Sequence, residues 1–326
     1  MSLIKITLLF FTLICFSNSF AQNGKIIERK EINLTQHKDL KNFIYKEVDG
    51  QKILKKEYQH LNSVRCEKIL YMSDGLKVVG YLLYPKNKGK YPGIIYNRGG
   101  NKEFGKITIK KVGAILAKVA SWGYVVVASQ YRGNDGGEGH EEFGGTDVND
   151  VLNLIPLLKN NKMVIPEKLG IYGWSRGGMM TYLSLMRTNE FKAACIGGGL
   201  SDLYLMMSSR NDNFEEVYYD VIPNYADDKR KALDSRSAIK NIDKICKTTP
   251  VLMLHGSADW RVVPQMALDM ANKFLEYNIP YRLIIYEGGD HGLYEHRKEV
   301  DDEVKSWLDR YVKNGEELPE LNPHGR

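Results

Sequence analysis

The segment from Leu169 to Leu183 constrains this chain more than any other. Leu169-Gly170-Ile171-Tyr172 reads as a short buried strand, Gly173-Trp174-Ser175-Arg176-Gly177 follows, and Gly178-Met179-Met180-Thr181-Tyr182-Leu183 reads as a helix start. A G-x-S-x-G flanked by strand and helix is the pattern of a nucleophile elbow, a cramped turn that exposes a serine hydroxyl at the end of a sheet. The glycines suit it because side chains there collide with the neighbouring strand or hold the helix away, and glycine accepts unusual dihedrals. The same five residues also fit an ordinary glycine-rich connection with a surface serine. The elbow reading therefore needs a sheet around it and chemical partners elsewhere in the chain.

The sheet is legible. Arg65 to Met72 and Leu76 to Tyr84 are strand-like runs joined by Ser73-Asp74-Gly75, where Asp and Gly accept the positive φ of a hairpin turn. Strands then alternate with helices. A strand at Gly93 to Tyr96 precedes a helix from about Ile107 to Trp122, and a strand at Tyr124 to Ser129 precedes one from about Asp147 to Leu158. After the elbow come Lys192 to Ile196, Val251 to His255, a helix at Gln265 to Tyr277, Tyr281 to Tyr286, and a last helix near Glu299 to Val312. This alternation predicts an α/β fold with a mostly parallel sheet covered by helices on both faces. Residues 200–246 interrupt it with Tyr, Met and charge, and are expected to form an inserted cap. The expected organisation is an amino-terminal extension at 22–64, a catalytic domain at 65–314 and a tail at 315–326.

Residues 1–21 carry the pattern of a secretory signal. One early cation, Lys5, precedes an apolar stretch from Ile6 to Phe16, and Ser19 and Ala21 are the small residues of a cleavage site. The apolar run is shorter than the roughly 20 residues of a membrane span. Cleavage after Ala21 and a secreted or periplasmic location are expected, with no membrane association afterwards. Cys66, Cys195 and Cys246 then remain, and three cysteines form at most one intramolecular disulfide. Cys195, inside Ala193-Ala194-Cys195-Ile196, reads as a buried small hydrophobe. No Cys or His cluster has zinc-ligand spacing, so neither a metal nor another cofactor is expected. The net charge of +6 includes no basic block interleaved with aromatics, so nucleic acid is not an expected partner. Nothing in the sequence reports oligomeric state.

A serine nucleophile needs a base, and the base needs a partner that fixes its tautomer. In this architecture the chain order is serine, acid, histidine. Asp259 falls in the loop after the Val251 to His255 strand, and His291 in the loop after the Tyr281 to Tyr286 strand. Ligands in such sheets bind beyond the carboxyl ends of the strands, so both belong at Ser175's end. His255 and His296 are competing bases, and Asp290 is a competing acid. The oxyanion donors are expected from the N–H of Arg176 and from the loop Asn97-Arg98-Gly99-Gly100-Asn101, whose paired glycines let the backbone approach a ligand. The glycine-rich stretch Tyr131 to Gly139 lacks the closing Lys-Ser/Thr of a phosphate loop and carries acids, which argues against nucleotide binding.

Taken in order, Arg98-Gly99-Gly100, Tyr131-Arg132-Gly133, Asp147-Val148-Asn149-Asp150-Val151, Gly173-Trp174-Ser175-Arg176-Gly177-Gly178, His255-Gly256-Ser257-Ala258-Asp259 and His291 resemble the catalytic domain of the prolyl oligopeptidase family of serine peptidases. The likeness covers roughly residues 65 to 312. It implies an α/β-hydrolase fold, a triad of Ser175, Asp259 and His291, structural roles for Asp147 and Asp150, and a peptide substrate. Residues 22–64 are too short for the β-propeller of the large family members, and arginine stands at 98 where some members use an oxyanion-hole tyrosine. Related propeller-free hydrolases cleave esters, including acyl groups on carbohydrates, so a carboxylesterase is the alternative. A noncatalytic binding protein on the same fold is the remote one. Trp174, Trp260 and Arg98 are the candidate substrate-binding residues, with Tyr204 and Met206 as further pocket candidates.

Overall fold

Asp74 and Gly75 both take positive φ, 51° and 82°, so the expected two-residue turn forms. It sets β4 (Val64–Ser73) antiparallel to β5 (Leu76–Pro85), with Met72 opposite Lys77. The structure, a computed structural model, describes residues 22–325. The expected leader at residues 1–21 lies outside the described residues. The other strands are β1 (Ile26–Ile32), β2 (Tyr45–Val48), β3 (Gln51–Leu54), β6 (Tyr91–Asn97), β7 (Val125–Ser129), β8 (Val164–Trp174), β9 (Phe191–Gly197), β10 (Val251–Gly256) and β11 (Tyr281–Tyr286). Nine of them form one sheet in the order β1-β4-β5-β7-β6-β8-β9-β10-β11, and β2 and β3 pair as a separate hairpin. From β7 to β11 all pairings are parallel.

The parallel strands are buried on both faces, which is why they read as continuous apolar runs. Consecutive Ile94 and Ile95 on β6 are both 0% exposed, yet belong to opposite core layers. Ile94 lies in the layer of Leu116 and Leu308, and Ile95 in that of Leu158 and Met180. Fully burying such a side chain contributes about 1.5–3 kcal/mol. After β6 the chain turns to β7 on one side, and after β8 to β9 on the other. The two loops diverge from adjacent strand ends and leave a crevice between them.

Two segments gain detail that the sequence left open, and one helix differs from its reading. Residues 22–64, an extension of unassigned structure in the sequence, are tied to the main sheet and core: β1 pairs along β4 as an edge strand and Leu40, Ile44 and Leu61 join the core layer of Leu116. Five of the seven β1 residues are exposed, so β1 has no apolar alternation to read, and its charges suit a sheet edge. The helix expected over 147–158 is two helices, Val148–Leu152 and Leu154–Lys159. Pro156 has no N–H to give Leu152 and its ring crowds that carbonyl, so the helix breaks at Asn153. Residues 200–246 form three short helices, Leu203–Ser208, Glu215–Val221 and Lys229–Arg236, followed by two 3-10 turns.

Candidate active site

The elbow forms as its glycines require. A Cβ on Gly173 would stand 2.0 Å from the Gly177 carbonyl oxygen, and one on Gly177 would stand 2.0 Å from that of Asn97. Neither position accepts a side chain. Between them Ser175 sits at φ 60° and ψ −125°, a conformation that costs of order 1–3 kcal/mol for a non-glycine residue. The neighbouring strand end holds it there: Ser175 N donates to Gly197 O at 2.8 Å, and Ser175 O accepts from Gly178 N at 2.8 Å and Leu200 N at 3.3 Å. The helix Arg176–Leu185 starts at the next residue, so the Arg176 N–H is one of the first-turn donors that have no partner inside the helix.

Asp259 and His291 stand at the same end of the sheet, beyond β10 and β11. His291 Nδ1 lies 2.7 Å from Asp259 Oδ2. The other carboxylate oxygen accepts from the N–H groups of Arg261 at 2.9 Å and Val262 at 3.0 Å. His255 is 1% exposed and its Nε2 lies 2.7 Å from Val262 O and 3.3 Å from Asp259 Oδ2. A proton on His255 Nε2 serves both oxygens, so His255 braces the acid. Burial pushes the Asp259 carboxyl up, but the hydrogen bonds from His255, His291 and Val262 outweigh it and hold the group well below the ordinary carboxylate range. The other candidates are occupied elsewhere. His296 lies between Glu299 and the Glu287 carbonyl, and Asp290 accepts from the N–H groups of Gly292 and Leu293.

Gly99 and Gly100 face the elbow. A Cβ on Gly99 would lie 3.0 Å from Ser175 Cβ, and Gly100 takes φ 70°. Two buried guanidinium groups hold the loop by its carbonyls: Arg98 Nη1 donates to Gly99 O at 3.2 Å and Arg176 Nη1 to Gly100 O at 2.9 Å. Arg98, a candidate substrate contact, is bound largely to the protein itself while standing on the wall of a cavity beside Ser175. Its side chain is 1% exposed, and four of its five N–H donors go to Gln130 O, Gly99 O, Lys102 O and Glu141, so its main part is to brace the loop.

Glu141 joins both arginines. One carboxylate oxygen accepts from Arg176 at 2.9 Å and Lys102 N at 2.8 Å, the other from Asn134 at 2.8 Å and Arg98 at 3.3 Å. Arg176 also donates to Asp147 at 2.6 Å. Burial works against the charge on both Glu141 and Arg176. For Glu141 the two arginines more than offset it and keep the carboxyl below its usual range, while Glu141 and Asp147 do the same for Arg176 and raise its pKa. Asp147 and Asp150 are both 0% exposed, and Asp150 accepts from the Arg132 backbone and guanidinium. Both are bracing groups, as the sequence implied.

Two cavities meet at Ser175 and His291. The first, about 260 Å³, lies beneath the cap and is lined by Phe143, Leu200, Met206, Phe214, Trp260 and Val262, among others. The second, about 330 Å³, includes Trp174, Tyr96, Tyr294 and Arg297. Trp260, 61% exposed, and Met206 therefore line the first cavity. Trp174 lines the second, where its Nε1 donates to His291 O at 2.8 Å. Tyr204 lines neither, its hydroxyl being bound to Asp234. Sequence reasoning missed Phe143, Phe214 and Arg261. The first two come from separate loops and carry no local signal, but Arg261, which lines both cavities, follows directly on the Asp259-Trp260 pair that was singled out.

Comparison with known proteins places the arrangement in context. A model of the prolyl oligopeptidase family matches residues 111–315. The chain is 34% identical over 229 residues to the uncharacterized peptidase YtmA of Bacillus subtilis, covering 70% of this chain and 86% of that protein. Dipeptidyl-peptidase 5 of Porphyromonas gingivalis is 25% identical over 279 residues, 78% of this chain but 39% of its own length. The acylaminoacyl peptidase of Pyrococcus horikoshii shares the fold with a TM-score of 0.66 at 21% identity, over 84% of this chain and 47% of that one.

Proposed function

The chain belongs to the prolyl oligopeptidase family of serine peptidases, and from that premise we propose that it hydrolyses peptides through an acyl-enzyme formed on Ser175. The observation that carries this reading is the 2.7 Å contact of His291 Nδ1 with an Asp259 whose other oxygen is already held by two backbone N–H groups, on a cavity wall shared with Ser175. Asp259 keeps the proton on Nδ1, so Nε2 is free to accept the Ser175 proton as Oγ attacks the scissile carbonyl. The developing oxyanion takes hydrogen bonds from the Arg176 N–H and from the Gly99-Gly100 loop. His291 then returns the proton to the leaving nitrogen, and water repeats the sequence to release the acid. The apolar first cavity receives the side chain on the acyl side.

The leader pattern of residues 1–21 supports export, with action in the periplasm or outside the cell. Cell fractionation tests this: retention of the full-length chain in the cytoplasm would count against it. For the chemistry, the test is a rate panel of peptidyl amides, simple esters and acylated sugars on wild type and Ser175→Ala, with fluorophosphonate labelling of Ser175. Peptide turnover that vanishes in the variant is the expected result. Ester-only turnover would reassign the protein as a carboxylesterase, and an unlabelled, folded, inactive wild type would remove the enzymatic reading.

A further inference from the structure

The second cavity carries charge that the mechanism above does not use. Lys111, Arg261, Arg297 and Arg98 stand on its wall and no Asp or Glu does. Arg98 is offset by Glu141, and Arg297 pairs with Asp301 at 2.8 Å behind the wall. Lys111 and Arg261 have no carboxylate partner among the described residues: Lys111 Nζ donates to the Gly105 carbonyl at 2.8 Å, and the Arg261 guanidinium lies over the rings of Trp260 and Phe104. Burial, reinforced by Arg98, lowers the Lys111 pKa, as for an ammonium short of counter-charge. Cations gathered this way in a partly enclosed space attract an anion and bind it by charge-assisted hydrogen bonds.

The position of the cavity says which part of a substrate reaches it. His291, which delivers a proton to the leaving atom, borders both cavities, but Gly292, Tyr294 and Arg297, which continue from it along the chain, line only this one, whereas the cap residues Met206 and Phe214 line only the other. A volume of about 330 Å³ is at the small end of ligand pockets and limits the leaving group to a short segment. We infer that the leaving group carries a carboxylate within about one residue of the scissile bond, held by Lys111 and Arg297 with Arg261 at the junction of the two cavities. The natural substrates are then short peptides cut close to a free C-terminus or before an acidic residue. The C–N bond breaks, the nitrogen takes the proton from His291 and leaves as an amine bearing the carboxylate, and water completes hydrolysis. This inference rests on the Ser175 reading and adds the leaving-group side to it.

The test uses the full chain and three peptides identical up to the scissile bond, continuing as Leu with a free carboxylate, Leu carboxamide or Asp carboxamide. The free carboxylate is expected to raise kcat/KM about tenfold or more over Leu carboxamide, an advantage that shrinks as salt is added and falls toward one in Lys111→Met/Arg297→Met. A matching gain for Asp carboxamide assigns either source of carboxylate to these cations, and no gain for it assigns the main-chain carboxylate alone. Equal Ser175-dependent rates on all three peptides in wild type overturn the inference and leave the peptidase reading standing. No Ser175-dependent hydrolysis of any of them removes both.

Discussion

Glu141→Gln tests whether the buried cluster behind the elbow holds the oxyanion loop. Glu141 is 7% exposed and accepts four hydrogen bonds, two on each oxygen. Glutamine offers one acceptor oxygen and one NH2, so one pair of donors, either Arg176 with Lys102 N or Arg98 with Asn134, meets another donor. Breaking a buried ion pair by removing one partner costs about 3–5 kcal/mol. Arg176 retains Asp147, and Arg98 retains three backbone carbonyls, which puts the cost near the lower end, about 3 kcal/mol. For a domain of this size each kcal/mol lowers Tm by about 2–4 °C, so a drop of roughly 6–12 °C is expected by calorimetry. The first pair includes Arg176 Nη1, which also holds Gly100 O, and the second includes Arg98, which holds Gly99 O, so either orientation loosens the loop. The loop then loses its register against Ser175, and kcat on a chromogenic ester falls about tenfold or more while KM changes little, because an oxyanion donor acts mainly in the transition state. A folded variant with Tm within about 2 °C of wild type and unchanged kcat would refute the assignment of Glu141 as the residue that holds this loop.

Asp259→Asn leaves the loop in place but lets the amide favour the wrong tautomer of His291, so kcat should fall by roughly 10³–10⁴-fold with KM nearly constant in steady-state assays. Because Asp259 is held below its ordinary range in the folded chain, its stabilising contribution is complete above the unfolded value near ~4 and drains as pH falls through that value toward the folded one. Thermal melts across pH should therefore show the Tm gap between wild type and Asp259→Asn narrowing below about pH 4; a gap that widens there would contradict the sign. Arg98→Lys keeps the charge but replaces a fork that reaches four partners with a single ammonium, so kcat should fall while substrate preference on a peptide panel stays the same.

What the sequence disclosed and what it withheld follow from the range of the interactions. Ser175, Asp259 and His291 are legible because each sits just past a strand whose apolar run marks it, and parallel strands bring their carboxyl ends to one edge. The Asp74-Gly75 turn is legible because its geometry is local, and Asp49-Gly50, both at positive φ between β2 and β3, gave the same signal unread. The bracing part of Arg98 was not legible because it depends on Glu141, 43 residues away, and on the carbonyls of Gln130 and Lys102. Nothing in Arg98-Gly99-Gly100 distinguishes a guanidinium aimed at substrate from one turned inward. β1 was hidden for the opposite reason: an edge strand with solvent on most of its residues needs no apolar pattern, only a neighbour with free backbone groups.

The cluster of Arg98, Arg176, Glu141 and Asp147 carries two positive and two negative charges, so it contributes little net field at Ser175. Its effect is positional. Arg176 supplies a backbone N–H at the start of the elbow helix and, through its side chain, a grip on Gly100 O; Arg98 grips Gly99 O; and Glu141 ties the two together. One residue thus links the two halves of the proposed oxyanion site, which come from the divergent loops after β6 and β8. A loop held only by its own turn geometry would be free to drift from the elbow, because the two strand ends send their chains to opposite sides. Tyr131, whose ring lies 5.0 Å from one guanidinium and 5.1 Å from the other, fills the space between them and donates its hydroxyl to Arg98 O at 3.0 Å. The side chains behind the reacting atoms are therefore paired and packed as a unit, whereas Lys111 and Arg261, which have no carboxylate partner among the described residues, line the second cavity.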